Sequence, residues 1–79
     1  MRVVGEIPHP TLKITIFHWN NRFLIKLEDG LLEQTFKVNE FDISSEEDIK
    51  SILNESFLQK AQKRFEEMAI SLGEAMKEL

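Results

Sequence analysis

Two dipeptides, Asn20-Asn21 and Asp29-Gly30, punctuate the first half of this chain and leave it few ways to fold. Asn, Asp and Gly adopt the left-handed backbone of tight hairpin loops at little cost. The residues around them alternate. Leu12, Ile14, Ile16 and His18 fall on one side of an extended chain, and Lys13, Thr15, Phe17 and Trp19 on the other. β-Branched and aromatic residues dominate, as a half-buried strand requires. Strands are expected over 12–19, 22–28 and 31–38, joined as a meander.

The pairing tests itself. With Asn20-Asn21 as a two-residue loop, Trp19 faces Arg22, Phe17 meets Leu24, Ile16 meets Ile25, Ile14 meets Leu27 and Lys13 meets Glu28. With Asp29-Gly30 as the second loop, Leu27 meets Leu32, Phe23 meets Phe36 and Lys26 meets Glu33. Apolar thus faces apolar and charge faces opposite charge, and each such pair contributes roughly 0.2–1 kcal/mol. Arg22 opposite Lys37 is the one misfit. Leu12, Ile14, Ile16, Phe23, Ile25, Leu27, Leu32, Phe36 and Val38 form the expected buried face. Gln34 sits among them and calls for a place near an edge or a bond to a helix.

The second half changes period. Ser44 and Glu47 have capping-box spacing, and Glu46, Glu47 and Asp48 crowd the positive end of a helix dipole. Ile49, Ile52 and Leu53 follow at helical spacing, so a short helix is expected over 45–53, with Asn54 closing it and capping the next. From there Leu58, Ala61, Phe65, Met68, Leu72, Ala75 and Leu79 recur every three or four residues, which predicts a helix over 55–77. At 1.5 Å per residue such a helix is ~35 Å long, against ~23 Å for a seven-residue strand. It should overhang the sheet by about two turns. Gly73 weakens that end.

The fold class is therefore α+β: a three-stranded antiparallel β-meander followed by a short and a long C-terminal helix packed on one sheet face. Met1–Ile7 offers at most a short edge strand, closed by Pro8 and Pro10. Seventy-nine residues make one domain, 1–79, with one core. Hydrophobic residues at 42% and six Phe support that core and argue against disorder. Cysteine is absent, and no segment has the roughly 20 apolar residues of a membrane span. The N-terminal apolar run is too short for a signal peptide. A cytoplasmic location is the expectation.

The stretch Lys13-Ile-Thr-Ile-Phe-His-Trp-Asn-Asn, with the following Phe-Leu-Ile-Lys-Leu-Glu-Asp-Gly-Leu-Leu-Glu-Gln-Thr-Phe-Lys-Val, resembles a group of short uncharacterised bacterial proteins. The resemblance covers the first half well and the helices loosely. No activity, ligand or catalytic residue is attached to that group, so the resemblance implies none here.

No catalytic, cofactor-binding or metal-binding set emerges from the residues. His9 and His18 lie at opposite ends of one strand, ~25 Å apart at 3.3 Å per residue. Glycines 5, 30 and 73 stand alone and build no phosphate loop. The serines fall at helix caps and surfaces. A non-enzymatic protein–protein interaction module or small homodimer is the expected function. The expected interface is Phe17, Trp19, Arg22 and Leu24 on the outer sheet face, joined by Phe65, Met68, Leu72 and Met76 of the overhanging helix. The alternative is single-stranded nucleic acid stacked on that face between Lys13, Arg22, Lys26 and Lys37. The net charge of −4 weighs against it.

Overall fold

The computed structural model describes residues 1–79. Four strands run in the order β1 (Arg2–Ile7), β2 (Lys13–Trp19), β3 (Arg22–Asp29) and β4 (Leu32–Asn39). They form one antiparallel sheet in which each pairs with its neighbours in sequence. A 3₁₀ turn (Glu40–Asp42) leads to α1 (Glu46–Ile52) and α2 (Glu55–Met76).

The sheet thus has four strands, not three. Residues 2–7 form a full edge strand against β2, with Ile7 opposite Ile14 and Val3 opposite Phe17. A bulge between Val3 and Gly5 interrupts the alternation. It turns Val4 towards the helices, where it packs on the core with Ile7, and leaves Val3 exposed on the other face.

Both hairpins form. Asn20 and Asn21 have φ of 54° and 60°, as a type I′ turn demands, and β2 pairs with β3 from Trp19–Arg22 through Ile16–Ile25 to Lys13–Glu28. The second hairpin differs from expectation by two residues. Its loop is Gly30-Leu31, because Asp29 pairs with Leu32, Leu27 with Gln34 and Ile25 with Phe36. Gly30 takes the positive φ, 62°. A slip of two preserves every face, since side chains alternate with period two. It also removes the Arg22–Lys37 clash: Arg22 now faces Asn39 and Lys37 faces Leu24. The cost moves to Glu28, which faces Glu33.

The core lies on one face. Ile14, Ile16, Ile25 and Leu27 of the central strands are buried together with Leu12, Ile49, Leu53, Ala61 and Phe65. Ile49 brings α1 onto this face and Ala61 and Phe65 bring α2, so both helices share it. Asn54 makes the break between them. Its Oδ1 accepts from Phe57 N–H at 2.9 Å and its Nδ2 donates to the Ser51 carbonyl at 3.2 Å, closing one helix and opening the other. The expected cap of α1 shifts by one residue. Ser45 is the N-cap and makes no side-chain cap bond, while Asp48 accepts from Ser44 N–H at 2.7 Å.

Gln34 is the polar residue inside the apolar row of β4. Its Nε2 donates to the Ala61 carbonyl at 2.9 Å, and its Oε1 accepts from Arg64 Nε at 2.9 Å. The side chain therefore ties the edge strand to the middle of α2 rather than to a helix end. No buried side-chain polar atom lacks a partner.

Two substitutions test this arrangement. Phe65→Ala should cost about 3–5 kcal/mol of unfolding free energy in urea titration, because the ring is 2% exposed and sits in the only buried cluster. A loss below about 1 kcal/mol would place Phe65 outside the core. Gly73→Ala meets no atom within 4 Å. It should stabilise the last turns of α2 by about 0.5–1 kcal/mol, read as slower amide exchange between Ala69 and Met76.

Candidate interaction surface

The path of α2 sets the geometry. Phe57 packs edge-on against Phe36 at 5.2 Å between centroids, Ala61 and Arg64 meet Gln34, and Met68 and Leu72 lie beside Leu32. The helix therefore runs antiparallel to β4 and passes beyond the Gly30-Leu31 turn. Every residue after Met68 is exposed. The molecule measures 46 × 26 × 18 Å, whereas an eight-residue strand spans ~26 Å. The long axis is stretched by the overhanging helix.

The apolar stripe of α2 does not stop where the sheet does. Leu72 is 50% and Met76 55% exposed, and Ile70 adds a further apolar side chain at 62%. With Leu32, Met68 and Ala75, Leu72 lines an open groove between the helix and the end of β4, together with Gln34, Arg64, Glu67 and Ser71. Apolar and polar side chains line it in equal number.

The eight residues anticipated as one interface do not form one. Phe65 is in the core and unavailable to any partner. Met68 is half-buried against the core. Leu72 lies on the helix side of the sheet beside Leu32, and Met76, one helical turn further along α2, is exposed. Phe17, Trp19, Arg22 and Leu24 lie on the opposite face, and Trp19 and Arg22 flank the Asn20-Asn21 turn at the opposite end. On that face Phe17 and Leu24 are half-buried, and Met1 lines one shallow depression with them. Trp19 is 49% exposed. Lys26 pairs with Glu28 of the same strand at 3.7 Å. Periodicity identified an amphipathic helix but carries no information on which of its turns the sheet covers.

Both histidines have structural partners. His9 Nδ1 accepts from the backbone N–H of Thr11 and Leu12, at 3.2 and 3.1 Å, and so shapes the turn entering β2. His18 Nε2 is 2.7 Å from Glu40 Oε2, and its ring meets Phe23 edge-on at 5.0 Å. Glu40 N–H also donates to the Asn21 carbonyl at 3.1 Å. Glu40 thereby straps the end of β4 to the first hairpin. No group of three or more His, Cys, Asp or Glu converges as a metal cage would require, and no helix is long and apolar enough to cross a membrane.

Comparison with protein-family models, with curated proteins and with solved structures finds no match.

Glu40→Ala removes the carboxylate from the His18 strap. It should lower unfolding free energy by about 1 kcal/mol while leaving the far-UV circular dichroism native. An unchanged urea midpoint would show that the strap contributes nothing.

Proposed function

We propose that this chain is a non-enzymatic interaction module that associates with itself through the overhanging end of α2. The observation that carries the reading is the unpartnered half of the α2 stripe. In the last turns of α2 Leu72 and Met76 are 50% and 55% exposed, and Leu72 lines the groove at Leu32. Apolar surface held out in water on a rigid helix is costly alone, at about 25 cal/mol per Å², and that free energy is recovered when a partner covers it. Small domains bury a limited share of their own surface, so association also adds stability the monomer lacks.

The outer sheet face supports less. Single-stranded nucleic acid needs freely stacking rings and uncommitted cations. Of the aromatics there, Phe17 is half-buried and only Trp19 is exposed, and Lys26 is engaged by Glu28.

Light scattering over a concentration series tests the proposal. The chain should run at twice its 9.3 kDa mass, and Leu72→Glu combined with Met76→Glu should return it to a monomer with unchanged circular dichroism. A wild type that stays monomeric at high concentration would overturn it.

A further inference from the structure

The two edges of the sheet are built differently. β1 carries a bulge between Val3 and Gly5 and runs into Pro8. These devices discourage a further strand from adding. β4 has neither. It is eight residues long, regular in its pairing, and ends the sheet.

The backbone of β4 has a defined polarity. Glu40 N–H bonds to Asn21 O in the same antiparallel series that joins β3 to β4. Hydrogen-bonded pairs alternate along such a ladder, so the even-numbered residues of β4 bond to β3. The amides and carbonyls of Glu33, Thr35 and Lys37 therefore point away from the sheet. Their side chains share the outer face, where Glu33 and Lys37 make no ion pair within the chain. Glu33 Oε2 accepts only from the Thr35 hydroxyl, at 3.1 Å, and faces Glu28 across the sheet. Two uncommitted charges of opposite sign thus flank Thr35 at equal distance.

We infer that a second copy of this chain adds antiparallel along β4, with the two-fold axis at Thr35. The inference rests on the self-association proposed above and specifies its geometry. In this register Thr35 faces Thr35 of the second copy, and Glu33 faces its Lys37, twice by symmetry. Three of the four outward-pointing residues of β4, Glu33, Thr35 and Lys37, then pair with one another and exchange backbone hydrogen bonds. On the helix side Leu32 meets Val38 and Gln34 meets Phe36 of the second copy, all of them half-buried in one chain. A shift of two residues either way sets Glu33 against Asn39 or against Thr35, and no opposite charges meet. Charge therefore selects one register among those the backbone permits. The same axis carries the α2 overhang of each copy towards the Asn39 end of the other, where Phe41 is 85% exposed.

A charge-swap series read by light scattering and sedimentation tests this. Glu33→Lys sets like charges opposite at both symmetric positions and should weaken the dimer by about tenfold or more. Within one chain it faces Glu28 with a cation, so the fold should not suffer. Glu33→Lys combined with Lys37→Glu should restore wild-type association. Thr35→Pro removes an outward amide at the axis, tolerable on a free edge, and should give a monomer with native circular dichroism. If the wild type is dimeric and both Glu33→Lys and Thr35→Pro dimerise equally well, the β4 register is wrong while self-association stands. If Thr35→Pro does not fold, the charge-swap pair decides alone. A monomeric wild type overturns both.

Discussion

Ile14, Ile16, Ile25 and Leu27 occupy one face of the two central strands, and their burial with Ala61 and Phe65 holds this protein together. Each is at most 4% exposed. The sheet is four strands wide and one face is covered, so the covered face must hold nearly all the apolar burial the chain achieves. The two helices exist as ordered elements because that face exists. Isolated helices of seven residues are unstable in water, and α1 persists because Ile49 is driven into the cluster.

From that core the edges acquire their character. The row of β4 facing the helices is half-buried, whereas Ile14, Ile16, Ile25 and Leu27 in the rows of β2 and β3 are fully buried. Gln34 holds this edge in place by satisfying its amide on α2 through Ala61 and Arg64. A polar side chain in that row is affordable because both its donor and its acceptor are used. Arg64 also approaches the Phe36 ring, 6.0 Å from its centroid. β4 is held chiefly by β3 and α2, and no strand pairs with its outer backbone edge. The overhang of α2 follows from simple lengths. A 22-residue helix laid along an eight-residue strand extends past it.

Much of this was legible in the residues because hairpins and helix caps are local. Asn20-Asn21 must turn, and seven alternating residues on each side then fix the β2–β3 register. Asn54 stops one helix and starts another through bonds spanning three residues. The second hairpin shows the limit. Asp29-Gly30 signals a turn, but only Gly30 takes a positive φ, and the loop includes the apolar Leu31, fully exposed. Turn composition located the loop within one residue, the register shifted by two, and parity protected the faces. The fourth strand was obscured because its bulge breaks the period-two pattern at Val3, Val4 and Gly5, and because Pro8 and Pro10 suggest the end of structure rather than a turn into β2.

The amino-acid sequence by itself determined the α+β class, two hairpins, the Asn54 break and the identity of the buried face. Each of these is encoded by neighbours a few residues apart, through side-chain alternation, turn conformations and helix capping. Only the tertiary structure decided that β1 completes the sheet, that Phe65 is core while Leu72 and Met76 are not, and that Trp19 and the helix overhang lie on opposite faces and at opposite ends. Those outcomes depend on where a helix stops touching a sheet and which strand closes its edge. Both are contacts between segments far apart in the chain, and no local periodicity records them.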